Sequence, residues 1–525
     1  MCSDGEAARQ SGKEHLLMYS KVLSGLVQGI DGTLISVETD IHDGLPVMNM
    51  VGYLSSCVKE AGERVRTALR NSGFNIPPKR ITINLFPADI RKEGTAFDLP
   101  IAAGMLASMG VIPTDNIKNI LILGELGLDG HVNTVSGVLP IVHSAYSEGV
   151  RSCIVPAGNS REAAIIRGMT VIPVTSIGEL VDHLSGIQTI EPEYVDVEAM
   201  LDTSGDEAEV DFSEVMGHES LKRGVEIAAA GMHNILMTGP AGAGKSMIAR
   251  RIPTILPRLS LEESIEITKV YSVAGDESCH IINRRPFRAP HHTISLHALS
   301  GGGHNPRPGE ISLAHGGVLF LDELPEFNRN VLEVMRQPLE DGEVSISRLG
   351  GIYRFPADFM LVAARNPCPC GQYPDMNRCT CTVRQIRNYN ARISKPLLDR
   401  IDINVDVRKV DCRQLFGGRT GKNSAEMRES VLRAQRIQSE RFSDENIRFN
   451  SQMDSSLCSK YVVLDGEAKN FMEDCFADMD MTARGAYRVL KIARTIADLD
   501  GDPEVGIKHL REAVFFRNAD IQGGV

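Results

Sequence analysis

Two hydrophobic periodicities divide the chain. Runs rich in β-branched and apolar residues at 34–39, 80–85 and 119–124 predict strands, while residues 58–71 and 99–108 repeat their apolar positions at helical spacing. This alternation predicts an α/β or α+β domain over residues 19–190. Further along, the apolar runs become solid. Residues 235–237, 318–321 and 359–364 have no polar face, as expected of strands buried in a parallel sheet. Between the last two lies a β-rich stretch, 343–355, folded around Gly350-Gly351, which predicts a hairpin. Residues 418–525 are mostly helical in pattern, with the clearest amphipathic runs at 424–440 and 486–499.

Polarity supplies the boundaries. Residues 1–18 form an N-terminal tail. Residues 191–214 carry ten acidic side chains and no basic one, a self-repelling run that predicts an extended, flexible linker. The expected organisation is therefore a domain at 19–190, a linker at 191–214, a core at 215–417 and a helical domain at 418–525. Composition narrows the class. With 525 residues and 42% apolar positions the chain is an ordinary multidomain globular protein. It has no apolar run of about 18 residues to span a membrane, and its first residues lack the apolar stretch of a secretory signal, so a cytoplasmic protein with no membrane partner is expected. The net charge of −12 excludes a wholly basic nucleic-acid coat protein but leaves room for a local basic channel.

The candidate chemistry sits at the first solid strand. After residues 235–237 comes a turn that fulfils G-x-x-x-x-G-K-[ST]: Gly239, Pro240, Ala241, Gly242, Ala243, Gly244, Lys245 and Ser246, with Met247 opening an apolar helical segment. Glycines let backbone N–H groups converge on phosphate oxygens, and the following helix turns its positive end toward them. Lys245 can reach the β and γ phosphates of ATP, and Ser246 can ligate Mg²⁺. About 75 residues on, the strand at 318–321 ends in Asp322 and Glu323. Asp322 would hold Mg²⁺ with Ser246, directly or through water, and Glu323 would polarise the attacking water. Four of the eleven cysteines, Cys368, Cys370, Cys379 and Cys381, form two C-x-C pairs within fourteen positions. Four thiolates in one short loop suit a tetrahedral structural Zn²⁺. The adjacent His291 and His292 are not expected to share a metal, because neighbouring residues rarely aim at one ion.

The segments VKEAGERVRTALRNSGF (58–74), ITINLFPADIRKEGTAFDLPIAAGML (81–106) and LILGELGLDGHVNTVSGVLPI (121–141), with RPFRAPHHT before the Asp-Glu strand and N-P-C-P-C-G at the cysteines, resemble the YifB/ComM family of magnesium-chelatase-like AAA+ ATPases. The resemblance covers roughly residues 19–518. It implies an α/β fold class: an AAA+ P-loop NTPase core with a C-terminal helical lid, preceded by a domain similar to the proteolytic domain of Lon. Where Lon carries its serine and lysine, this chain has Glu93-Gly94-Thr95-Ala96-Phe97-Asp98 and Gly137-Val138-Leu139-Pro140. With neither nucleophile nor base matched, the first domain is expected to be a non-catalytic scaffold or binding domain. In the core, the resemblance makes Asn366 the residue that senses the γ-phosphate, Arg348 and Arg354 of the hairpin DNA-phosphate contacts, and Arg400, within SKPLLDRID, the arginine finger. In the lid, Arg484 would contact the γ-phosphate, with Arg488 one turn along as its substitute. A finger acting in trans implies a homo-oligomer, a hexameric ring. The family also implies a DNA motor on single-stranded or branched DNA, promoting branch migration in homologous recombination and natural transformation. The rival readings are a magnesium-chelatase motor subunit, an ATPase remodelling something other than DNA, an ATP-dependent protease and a non-hydrolysing scaffold.

Overall fold

The structure, a computed structural model, describes residues 19–201, 210–275, 281–303, 306–348, 351–408, 421–478 and 481–518. The expected tail at 1–18 and the middle of the acidic linker, 202–209, lie outside the described residues. The chain divides into two units: Met1–Met200 with Tyr271–Ile281 and Ser347–Tyr353, and Leu201–Val270 with Ile282–Ile346 and Arg354–Val525.

The first unit is built on nine strands: β1 (Tyr19–Gln28), β2 (Asp31–His42), β3 (Met48–Val51), β4 (Arg80–Phe86), β5 (Ile120–Ile122), β6 (Glu125–Leu126), β7 (Val132–Asn133), β8 (Ser152–Pro156) and β9 (Thr170–Val174). Seven form one mixed sheet in the order β3-β4-β2-β1-β5-β8-β9, and β6 and β7 form a separate small ribbon. β2 runs antiparallel to both β1 and β4, and the other pairs in the sheet are parallel. The helices expected at 58–71 and 99–108 are Ser56–Asn71, capped by Ser55, and Asp98–Ser108, buried along its whole length. Asp98, at the start of the second of these helices, is fully buried. Arg64 binds both its oxygens at 2.9 Å and the Leu126 N–H donates to it at 3.3 Å. This is a packing ion pair holding a helix start against β6.

The second unit holds β10 (Ile235–Thr238), β11 (Phe287–Arg288), β12 (Val318–Leu321), β15 (Met360–Arg365) and β16 (Ile403–Asp406), together with the outer parts of β13 (Glu343–Arg348) and β14 (Gly351–Pro356), whose segment Ser347–Tyr353 is grouped with the first unit. Five form a wholly parallel sheet in the order β11-β12-β15-β10-β16, and β13 and β14 pair as the expected hairpin. The solid apolar strands are buried on both faces, as their composition requires. Helices Ser424–Arg441 and Ala483–Asp500 pack on helix Glu219–Gly231, so Val431, Ile492 and Ala493 of the helical domain share one hydrophobic core with Val225 and Ala228 beside the sheet.

The linker is less extended than its charge suggests. Val197–Leu201 is helical, and residues 211–215 belong to the second unit's core. Phe212 and Val215 are buried there, Arg251 donates to the Asp211 carbonyl and pairs with Glu214, and Asp211 accepts from the Ser424 N–H. Two apolar residues embedded in the acidic run decide the outcome: burying them outweighs charge repulsion that Arg251 neutralises.

Candidate nucleotide-binding and hydrolysis site

The glycine-rich turn leaves the C-terminal end of β10, the strand flanked by β15 and β16. Gly239 packs so closely that a Cβ there would lie 2.2 Å from the Val407 carbonyl oxygen. Gly242 and Gly244 adopt φ of 74° and 86°, the left-handed region that glycine enters without strain, and Gly244 starts the helix Lys245–Ala249. Lys245 is buried. Its ammonium donates to the Gly239 carbonyl at 2.6 Å, to Pro240 at 3.0 Å and to Asn366 Oδ1 at 3.1 Å. Burial pushes the Lys245 pKa below its ordinary value, against the opposing pull of Asp322 and Glu323.

β12 delivers the carboxylates. Ser246 Oγ donates to Asp322 Oδ2 at 2.6 Å, and the Glu323 N–H donates to Asp322 Oδ1 at 2.9 Å. Glu323 itself sits at φ 51°, a left-handed conformation unusual for a side chain with a Cβ, which turns the chain sharply off the strand end. Its carboxylate faces His292 Nδ1 at 3.6 Å, and the His291 and His292 rings lie 4.1 Å apart, centroid to centroid. Lys245, Ser246, Asp322, Glu323 and Asn366 are thus gathered at one edge of a parallel sheet, where α/β folds place their ligands. The Ser246 and Asp322 oxygens are as close as adjacent oxygens around an octahedral Mg²⁺, about 2.9 Å for bonds of about 2.1 Å, so the pair fits that ion.

The four cysteines also come together. Their sulfurs all lie within 4.8 Å of one another. Cys368 stands 3.4 Å from Cys370 and 3.8 Å from Cys379, and Cys370 is 3.6 Å from Cys379. Tetrahedral Zn²⁺ with Zn–S bonds of about 2.3 Å places sulfurs about 3.8 Å apart, so the donor set fits zinc. Backbone N–H groups of Gln372 and Thr380 favour the Cys370 thiolate, while burial and the neighbouring sulfurs push the Cys379 and Cys381 thiols up. This loop touches the glycine-rich turn: a Cβ on Gly371 would sit 3.6 Å from the Ala241 nitrogen and 4.0 Å from the Asn366 side chain.

The two arginines form a second group. Arg400 does not bond to its sequence neighbours Asp399 and Asp402. It ion-pairs with Glu340 and donates to the Pro396 carbonyl at 2.6 Å. Arg484 meets the same Glu340 oxygen at 3.4 Å, while Arg488 faces Asp402 at 3.5 Å. Arg400, Arg484 and Arg488 line a cavity of about 1040 Å³ to which no residue of the glycine-rich turn contributes. Arg484 therefore stands with Arg400 at this cavity. Arg354 on the hairpin is mostly exposed. Glu340 escaped the sequence reading: it lies in a short acidic context that looks like any helix end, and only long-range packing shows what it binds.

The family described as magnesium chelatase, subunit ChlI, matches residues 211–415. Its C-terminal family matches 421–517, and the family described as subunit ChlI of Mg-chelatase matches 37–159. The chain is 40% identical over 500 residues to the competence protein ComM of Haemophilus influenzae, covering 94% of this chain and 97% of that one. It is 40% identical over 495 residues to the protein YifB of Escherichia coli, covering 94% and 96%. A shorter match, 32% identical over 132 residues, joins 25% of the chain to 23% of Lon protease 2 of Bacillus subtilis. Similarity sustained across both units places the chain in the YifB/ComM family of magnesium-chelatase-like AAA+ proteins.

Proposed function

We propose that this protein is an ATP-hydrolysing, ring-forming motor that acts on DNA, a branch-migration helicase of homologous recombination and natural transformation. The observation that carries the reading is the convergence of Lys245, Ser246, Asp322, Glu323 and Asn366 at the C-terminal edge of the parallel sheet. The turn from Gly239 to Met247 cradles the phosphates with its backbone N–H groups. Lys245 exchanges its carbonyl partners for β and γ phosphate oxygens. Ser246 and Asp322 hold Mg²⁺, which when bound neutralises charge on the phosphates. Glu323 orients the attacking water, and Asn366, already bonded to Lys245, meets the γ-phosphate side of the site. Arg400 completes the site of a neighbouring copy in a homo-oligomer, a hexamer, and Arg484 stands with it. Cys368, Cys370, Cys379 and Cys381 hold a structural Zn²⁺ that braces the loop beside Ala241 and Asn366.

DNA as the substrate is supported by the relative named a competence protein and by the exposed hairpin arginine Arg354. No helix of the described residues is long and apolar enough to cross a membrane. The second reading, a magnesium-chelatase-type motor subunit, is favoured by the family match over 211–415. The test is ATP hydrolysis by the purified chain with no DNA, single strands, duplex or a four-way junction, alongside Lys245→Ala. Stimulation strongest on branched DNA and abolished in the variant supports the motor. Turnover indifferent to every DNA but raised by a tetrapyrrole supports the chelatase reading.

A further inference from the structure

Arg400 and Arg484 converge on a single carboxylate oxygen, Glu340 Oε1. Glu340 lies in the short turn of helix Pro338–Asp341, just before the hairpin, and is half-exposed. One carboxylate oxygen serves two guanidinium groups, while Arg336 nearby is paired with Glu333 at 3.1 Å. Hydrogen bonding is incomplete. Among the described residues, Arg400 Nε, Arg488 Nη1 and Arg336 Nε are buried without a partner. Asp402 on the far side is already matched by Arg488, His233 and Lys491. The cluster therefore keeps unused guanidinium donors at a cavity of about 1040 Å³, whose lining also carries the carboxylates of Glu263, Glu266, Asp341 and Asp358. A phosphate with three acceptor oxygens satisfies a pair of guanidinium groups better than one carboxylate does.

We infer that Glu340 is a positioning residue that holds Arg400 and Arg484 together in the free subunit and yields them to the triphosphate bound by a second copy of this chain. The inference rests on Arg400 being the arginine finger. A half-exposed ion pair contributes little, so Glu340 is a weak holder: it keeps both guanidiniums at one address without competing hard for them. The exchange discriminates between nucleotides, because ADP lacks the γ-phosphate for which the arginines leave Glu340.

The experiment measures assembly of the full chain by light scattering across protein concentration, with Mg²⁺ and either ADP or a non-hydrolysable ATP analogue. Glu340→Gln keeps the side-chain shape at a half-exposed site and so leaves the fold intact. It is expected to lower the concentration for half-assembly at least threefold with the ATP analogue and to leave the ADP curve where it is. Glu340→Asp, which keeps the charge, is expected to stay near the parent. An E340Q shift that is equal in both nucleotides, or toward weaker assembly, overturns the proposal. Arg400→Ala separates the two readings. Its retained ATP turnover would remove the finger and the inference with it. Its loss of turnover beside an unshifted E340Q would remove only the role of Glu340.

Discussion

Asp402→Asn isolates one buried charge that ties the loop carrying Arg400 to the helical domain. Asp402 faces His233 Nδ1 at 3.4 Å and Arg488 Nε at 3.5 Å, and accepts from the Asn234 N–H at 3.4 Å. His233 Nε2 bonds Thr495 at 2.9 Å, so the network reaches helix Ala483–Asp500. Burial alone would raise the Asp402 pKa, yet His233, Arg488 and Lys491 outweigh it and hold the carboxyl at about 2. An unfolded aspartate titrates near about 3.9. At about 1.4 kcal/mol per pH unit, that gap is worth about 2 to 3 kcal/mol of stability at pH 7. The sign follows from proton binding. Between the two pKa values the unfolded chain holds more protons, so the contribution is complete above about pH 4, falls to about half near pH 3 and vanishes below about 2. Removing the charge also leaves the Arg488 guanidinium buried without its counter-ion, which pushes the cost upward. The chain has no tryptophan, so urea unfolding is followed by helix circular dichroism. The relevant transition is the one that Mg-ATP moves to higher urea. D402N should lose about 2 to 4 kcal/mol in that transition at pH 7, and the loss should shrink as pH falls toward 3. An unchanged midpoint, or a deficit that stays constant down to pH 3, would refute the account.

Two further predictions concern the site itself. Gly239→Ala should abolish ATP binding, measured with a fluorescent nucleotide, because its Cβ would collide with the Val407 carbonyl; binding within threefold of the parent would contradict the packing. Chelation should release about one equivalent of zinc per chain and lower ATP turnover, and Cys379→Ser should hold less metal by atomic spectrometry. Freshly purified protein without zinc would remove that site.

Much of the candidate site was legible because its chemistry is local. The glycine turn must be contiguous for backbone N–H groups to surround phosphate, and Asp322 and Glu323 must follow directly on a buried strand. Four cysteines within fourteen positions announce themselves in the same way. Strands and helices were legible wherever one periodicity ran unbroken, as in Ser424–Arg441 and Ala483–Asp500. What escaped depends on distance along the chain. Glu340 meets Arg400 sixty positions later, and His233 meets Thr495 beyond two hundred and sixty. No spacing rule connects such pairs, because the sheet order brings them together. The acidic run at 191–214 misled for a related reason: its charges dominated the pattern, while Phe212 and Val215 decided where its end would pack.

The order of strands in the parallel sheet has a consequence for how the protein is made. β10, which launches the phosphate-binding turn, pairs with β15 and β16. A ribosome that has finished Thr238 must add 121 more residues before it reaches Met360, which begins the first of these partners. At about 5–20 residues per second that is roughly 6–24 s during which an apolar strand waits without its hydrogen-bonding neighbours. Val407, whose carbonyl backs Gly239, is synthesised later still. The nucleotide site therefore cannot exist on the nascent chain until most of the protein has been translated. During that interval Ile235–Thr238 is the segment most in need of shelter by a chaperone.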